Sequence, residues 1–292
     1  MSLTADEIAT QPELWRRALT SSENARELLA APGESVLILG CGTSAYVAES
    51  IAALREQAGL GPTDAGYAPE PRLWRNWDRV VAISRSGTTT EVVDALQAVP
   101  AGVRKIVVTG IPDSPVGLLA DDIIDLGYAD ERSVVQTRFP TTFLMQARAA
   151  FGYDVGAVAT QAEAVLAEPL PFAASDFDHF VYLGSGWTYG LAQEAALKIR
   201  EAAQAWSESY PLLDYRHGPL AVAHEGSLVW LFGSDDETLA RDIRATGATV
   251  ILGGADPLVD LVQAQRLAVA VAESRGLDPD TPRHLTRSII LS

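Results

Sequence analysis

Val36-Leu37-Ile38-Leu39-Gly40-Cys41-Gly42-Thr43 is the stretch that decides the fold of this chain. Its apolar run shows no polar alternation, the habit of a strand buried on both faces of a parallel sheet. A Gly-x-Gly turn ends the run, and a helical pattern follows. The same order of strand, glycine turn and helix returns at Phe180-Val181-Tyr182-Leu183-Gly184-Ser185-Gly186-Trp187. Ala192 and Ala196 then stand at the offset of Ala48 and Ala52. Val107-Val108-Thr109-Gly110 and Ile251-Leu252-Gly253-Gly254 keep that offset too. The two halves read as a duplication. Neither turn completes Gly-x-Gly-x-x-Gly, which disfavours a Rossmann nucleotide site.

Working outward, further short apolar runs lie at 80–83, 106–109, 123–126, 228–232 and 250–252, separated by longer helical patterns. This alternation predicts an α/β architecture, with helices on both faces of a mainly parallel sheet. A helical stretch is expected from Leu3 to about Leu19. Another is expected around 157–167, before Glu168-Pro169-Leu170-Pro171, the best linker candidate. The expected division is therefore 1–168, an N-terminal helix plus a first subdomain, and 169–292, a second subdomain.

The chain has 292 residues, 48% of them hydrophobic, and a formal net charge of −16. Such acidity argues against a nucleic-acid surface and requires any anionic ligand to be captured locally, against the overall field. One cysteine, Cys41, excludes an internal disulfide and a cysteine-rich metal site. No signal-like segment or membrane-length apolar run is seen, so a cytoplasmic setting is expected.

Ile83-Ser84-Arg85-Ser86-Gly87-Thr88-Thr89-Thr90-Glu91 places hydroxyls and a glycine between a strand and a helix. Amides at a helix N-terminus attract anions, and hydroxyls add neutral donors, so the loop suits a phosphate. An ordinary Ser/Thr-rich helix cap is the other reading. The second half has Gly233-Ser234-Asp235-Asp236-Glu237 instead, whose carboxylates would repel a phosphate. One phosphate site per chain, in the first half, is expected.

A helix is expected from Thr188 to about Trp206, with Leu191, Ala195, Ile199, Ala202 and Trp206 as its apolar stripe. Glu194, Lys198 and Glu201 share another face. They read either as a solvated ion-paired face or as a base beside a cation, the pair that aldose–ketose isomerisation needs. Asp214-Tyr215-Arg216-His217-Gly218-Pro219-Leu220 puts His217 at a turn. There it is either a loop histidine bonded to backbone or an acid–base group for opening a sugar ring. His179, His224 and His284 have no comparable setting, and the four histidines make no metal site.

Together, Cys41-Gly42-Thr43-Ser44, Ser84-Arg85-Ser86-Gly87-Thr88-Thr89, Glu194-x-x-x-Lys198-x-x-Glu201, His217-Gly218-Pro219-Leu220 and Asp278-Pro279-Asp280-Thr281-Pro282-Arg283-His284-Leu285 resemble the sugar isomerase (SIS) domain family. The nearest pattern is the isomerase half of glucosamine-6-phosphate synthase and its stand-alone amino-sugar-phosphate deaminase relatives. The resemblance implies two tandem SIS subdomains, each a doubly wound parallel sheet, and a homodimer with composite sites. It implies sugar contacts from Thr43, Ser44 and Val134, phosphate contacts from Ser84, Ser86 and Thr89, and a proton-shuttling base in Glu201 assisted by Lys198. His217 matches the ring-opening histidine, which the family usually supplies to the neighbouring subunit's site.

Two departures bear on the chemistry. Arg85 stands where the synthase has glutamine, and either adds charge to the phosphate site or lies outward. Arg287 replaces a lysine that touches the sugar carbonyl. It is not expected to form an imine, though it can hydrogen-bond the substrate. No glutaminase activity is expected. The resulting expectation is a metal-free, cofactor-free phosphosugar isomerase acting on a hexosamine 6-phosphate, coupled to ammonia release. Its alternatives are a fructosamine-6-phosphate deglycase and a non-catalytic sugar-phosphate sensor.

Overall fold

The computed structural model describes residues 2–291. Its first half runs α1 (Leu3–Ala9), α2 (Gln11–Leu19), α3 (Ser22–Leu29), β1 (Val36–Gly40), α4 (Thr43–Gln57), β2 (Thr63–Tyr67), β3 (Arg79–Ile83), α5 (Thr90–Ala98), β4 (Arg104–Thr109), β5 (Asp122–Asp125) and α6 (Arg138–Ala150). The second runs α7 (Val158–Ala167), β6 (His179–Gly184), α8 (Trp187–Ala203), β7 (Trp206–Pro211), β8 (Ser227–Leu231), α9 (Glu237–Arg244), β9 (Thr249–Leu252) and α10 (Pro257–Ser274).

Two compact units result, and each takes a terminus from the other end of the chain. One is Thr10–Gly156 with the C-terminal segment from Thr286; the other is Ala157–Leu285 with α1. The crossing falls at Gly156–Ala157, ahead of α7, rather than at Glu168–Pro171, because α7 packs on α10. The helix expected over 3–19 is two helices. Pro12 sits in the first turn of α2, where its missing N–H costs nothing, and the break at Thr10 sends α1 and α2 to different units.

The first unit holds a five-stranded sheet in the order β2-β1-β3-β4-β5, and every pair is parallel. The other holds a four-stranded parallel sheet, β7-β6-β8-β9. Leu37, Leu39, Val80, Ala82 and Val107 of the first sheet are buried against Val92, Ala95 and Leu96 of α5. Val181, Leu183, Val229 and Leu231 of the second are buried against Leu239 and Ile243 of α9. Strand order reverses between β1 and β3, and again between β6 and β8. Open α/β sheets bind ligands at such switch points, beyond the carboxyl ends of the strands. In the first unit those ends carry the Gly40–Ser44 turn and the hydroxyl loop after β3.

The duplication is visible in the backbone. Gly42 (φ 53, ψ −125) and Gly186 (φ 54, ψ −129) precede α4 and α8 in the same conformation, one that L side chains rarely adopt. A Cβ on Gly40 would lie 2.5 Å from the Ser44 carbonyl carbon, and one on Gly184 would lie 2.4 Å from the Thr188 carbonyl oxygen. Both turns need glycine because the helix starts hard against the strand end.

Two strands were not expected. β2 (Thr-Asp-Ala-Gly-Tyr) and β7 (Trp-Ser-Glu-Ser-Tyr-Pro) are sheet edges, mostly half-buried, and carry little apolar signal. Trp206 begins β7 and is 72% exposed, so it does not belong to the α8 stripe. The helix stops at Ala203 because Gln204 adopts the left-handed conformation, φ 49. Among the described residues, no helix is long and apolar enough to cross a membrane.

Candidate functional site

The loop after β3 is not an ordinary helix cap. Thr89 is the N-cap residue of α5, yet its side chain makes no capping hydrogen bond. The hydroxyls face one another. Ser84 Oγ donates to Thr89 Oγ1 at 3.4 Å and accepts from the Gly87 amide at 3.2 Å. Ser86 Oγ accepts from the Thr88 amide at 3.3 Å. The amides of Arg85, Ser86 and Thr89 have no acceptor among the described residues. Gly87 (φ 67) closes the loop so tightly that an added Cβ would meet Ser114 Oγ at 1.9 Å. Free amides and clustered hydroxyls at the first turn of a helix favour an anion.

The second half solves the same problem internally. Asp236 caps α9 by accepting from the amides of Thr238 and Leu239, and Asp256 caps α10 by accepting from the Leu258 amide. A built-in carboxylate therefore occupies the helix start where the first half leaves room for an outside anion.

Arg85 does not lie outward. Its side chain is 1% exposed and lines a cavity of about 30 Å³ with Cys41, Ser44, Ser84, Ser86, Thr89, Gln136 and Arg287. Burial and the Glu91 carboxylate push the Cys41 thiol up to about 11, which keeps it a neutral wall rather than a nucleophile. The C-terminal segment closes the cavity. Ser288 Oγ bonds Ser86 Oγ (3.1 Å) and Thr88 Oγ1 (2.8 Å), and the Ile289 carbonyl accepts from the Thr90 amide at 3.2 Å. Arg287 anchors this segment through both oxygens of Asp130, each at 2.6 Å, and through the Glu131 carbonyl at 3.1 Å. Glu131, buried, also accepts from the Thr137 hydroxyl and the Arg138 amide, both at 2.8 Å. It thereby fixes the Ser133–Thr137 loop on which half-buried Val134 sits. Asp130, Glu131 and Ser288 were not anticipated. Asp130 and Ser288 find their partners across long stretches of chain, and Glu131 pairs six and seven residues on, a spacing that no helix or strand pattern marks.

In the other unit, α8 carries a charge array that is not a solvated face. Glu194 is fully buried, Lys198 is 1% exposed and Glu201 keeps a 20% exposed side chain. Lys198 Nζ lies 2.6 Å from Glu201 Oε2 and 3.3 Å from Glu194 Oε1. Helix geometry explains the sharing, because positions one turn apart on either side of Lys198 face it together. One carboxylate is locked inside, and the other, on Glu201, is the member of the three that reaches solvent.

His217 is exposed, and its amide donates to the Asp214 carbonyl at 2.8 Å. Its ring forms no hydrogen bond or ion pair among the described residues, so the reading as a loop histidine held by backbone does not apply to the side chain. His179 bonds Ser227 Oγ at 2.9 Å and Glu208 at 3.3 Å, and stacks on His224. These two are structural residues at the start of β6 and before β8. Thr43 and Ser44 are buried in the first turn of α4. Ser44, but not Thr43, shares the Arg85 cavity.

Residues 29–150 match the SIS domain family. Across 97% of its length the chain is 28% identical to the glutamine–fructose-6-phosphate aminotransferase [isomerizing] of Pyrobaculum aerophilum, covering 56% of that protein. It is 28% identical to the same-named protein of Gloeobacter violaceus over 88% of the chain and 52% of that protein. The chain thus spans about half the length of these curated relatives. Among solved structures it resembles glucosamine-6-phosphate deaminase from Thermotoga maritima, with a TM-score of 0.85 and 27% identity over 99% of this chain and 100% of that one. Tagatose-6-phosphate ketose/aldose isomerase from Escherichia coli shares the fold, with a TM-score of 0.80 and 21% identity over 100% and 96% of the two chains.

Proposed function

Because the chain carries a SIS domain over residues 29–150, we propose that it is a phosphosugar isomerase that converts a hexosamine 6-phosphate to the ketose phosphate and ammonia. The observation that carries this reading is the α8 array: a buried lysine, neutralised from within by Glu194, in contact with a carboxylate that reaches solvent. Proton transfer between adjacent carbons uses a positioned base, and a neighbouring cation stabilises the charge that develops.

In this scheme Ser84, Ser86 and Thr89 hold the phosphate, taking up the hydroxyl contacts that Ser288 now makes. His217, proposed to act in the neighbouring subunit's site of a homodimer, moves the proton that opens the sugar ring. Glu201 removes the C2 proton of the open-chain aldose. The C2–H electron pair forms a C1–C2 double bond, and Lys198 stabilises the charge that develops on O1. Glu201 then returns the proton to C1 while one proton of the 2-amino group passes to O1, which leaves a C1 hydroxyl and a C2 imine. Water adds to that imine and ammonia departs, giving the ketose phosphate. Thr43, Ser44, Val134 and Arg287 are proposed to contact the sugar. No step uses an imine to the protein, consistent with arginine at 287.

The test is NMR of the protein with glucosamine 6-phosphate in D₂O, following C2 deuteration, fructose 6-phosphate and ammonium, with Glu201→Gln as control. Product and ammonium that vanish in the variant support the proposal. Ammonium-free isomerisation of a plain hexose 6-phosphate, or amino-acid release from a fructosamine 6-phosphate, would replace the substrate and keep the base. Tight phosphosugar binding with no deuteration of any of these compounds would refute catalysis and leave a sensor.

A further inference from the structure

Arg85 is a buried cation with an unused donor. Its Nη1 donates to the Ser133 carbonyl at 3.0 Å and lies 3.6 Å from Glu131 Oε2, and its Nη2 donates to the Arg287 carbonyl at 3.1 Å. Its Nε is buried and has no hydrogen-bond partner. Leaving such a donor unpaired when buried is costly, more so when it belongs to a charged group. A guanidinium buried in this fold can have every nitrogen engaged. Arg55, equally buried, places Nε, Nη1 and Nη2 on carbonyls of Leu29, Ala30, Ala31, Glu34, Leu60 and Gly61 and on the Thr63 hydroxyl. Arg85, with its Nε unengaged, lines the hydroxyl cavity. Gln136, which lines the same cavity, also keeps a buried carbonyl oxygen without a partner.

Among the described residues the ion-pair partner of Arg85 is Glu131, at 3.6 Å, beyond hydrogen-bond distance, while that carboxylate accepts from the Thr137 hydroxyl and the Arg138 amide. Asp130 is engaged by Arg287, and Glu91 lies on α5 near Cys41. Arg287, the other guanidinium lining the cavity, is paired with the Asp130 carboxylate, and the hydroxyls and amides that remain are neutral and separate ligand charge states weakly. A permanent guanidinium in a buried site adds a Coulomb preference for the ligand with more negative charge.

We propose that Arg85 is the charge-selecting residue of this site, setting it to bind the dianion of a phosphate monoester over the monoanion through its free Nε. The proposal rests on reading the Ser84–Thr89 loop as a phosphate site. It also assigns Arg85 a positioning role, since one guanidinium joins the loop, the Ser133 strand of chain and the C-terminal segment around the same anion.

Methyl phosphate and methyl sulfate test this, because they match in shape and the sulfate stays a monoanion. The second pKa of a phosphate monoester is about 6. Calorimetric titration of the full chain should therefore show methyl phosphate binding about ninefold tighter at pH 7 than at pH 5, as the dianion rises from roughly one tenth to nine tenths. Methyl sulfate should bind weakly and change little. Arg85→Gln, checked for folding by circular dichroism, should lose about tenfold affinity for methyl phosphate at pH 7 and lose the pH slope. Arg85→Lys should keep the slope with weaker affinity, because it keeps the charge without the planar fork. Equal binding of the two ligands by the unaltered chain overturns the proposal without any variant, as does an unchanged slope in Arg85→Gln. Binding of neither ligand overturns it together with the phosphate reading of the loop. Loss of Arg85 selectivity alone leaves that reading intact.

Discussion

Replacing Lys198 by methionine exposes what the α8 array costs. Lys198 and Glu194 are 1% and 0% exposed and lie 3.3 Å apart. At an effective dielectric of about 20 that separation corresponds to roughly 5 kcal/mol of attraction, which offsets several kcal/mol of desolvation for each ion. Lys198→Met removes the attraction and keeps the desolvation of Glu194. The expected loss at pH 8 is about 3–5 kcal/mol, the usual cost of stranding one partner of a buried pair. A domain has only about 5–15 kcal/mol in total. In the variant, burial without the cation raises the folded-state pKa of Glu194 above its unfolded value. A raised carboxyl pKa stabilises the fold at low pH, and that stability is lost as pH rises through the folded value. The defect should therefore be smaller at pH 5 than at pH 8. The assay is urea unfolding at both pH values, with native-state hydrogen exchange of the α8 amides to localise the effect. Lys198→Met combined with Glu194→Leu removes the stranded charge and should recover most of the loss. A loss below about 1 kcal/mol at pH 8, or a double variant no better than the single one, would refute the reasoning.

Further outcomes follow from other buried groups. Arg55→Lys leaves several loop carbonyls without the donors that now serve them, and should cost about 2–4 kcal/mol in urea unfolding. Gly184→Ala forces a Cβ to within 2.4 Å of the Thr188 carbonyl oxygen and should cost at least about 2 kcal/mol, whereas Gly254→Ala, with nothing within 4 Å, should stay within about 0.5. Burial pushes the Asp260 carboxyl up to about 7, against a hydrogen bond from the Gly233 amide, with Asp256 adding to the rise. The raised value means that its stabilisation is complete below about pH 4 and lost as pH climbs through 7. Asp260→Asn mimics the protonated acid, so its melting temperature should exceed that of the unaltered chain at pH 8 and match it near pH 4.

Of the seven strands anticipated from the sequence, β1, β3, β6 and β8 are buried throughout, and the edge strands β5 and β9 were legible because they keep the apolar pairs Ile123-Ile124 and Val250-Ile251. β2 and β7 escaped notice because sheet edges tolerate residues such as Asp64, Gly66, Ser207 and Glu208. Similarly, the array of Glu194, Lys198 and Glu201 was legible from helical spacing. Its burial was not, since a solvated ion-paired face has the same spacing.

What the sequence by itself determined is local and periodic: the paired strand–glycine–helix units, the parallel α/β class, and the hydroxyl loop after β3. These follow from short-range sterics and from apolar patterns that any fold of this class must satisfy. Only the tertiary structure decided that Thr89 leaves its cap unused, that Arg85 turns inward with Nε unfilled, and that Ser288 and Ile289 close over the loop. Those outcomes depend on side chains such as Glu131, Arg287 and Ser288, which reach their partners across long stretches of chain. Pairings set by chain return leave no periodicity to read, because the free energy that selects them exists only once the sheet has brought the segments together.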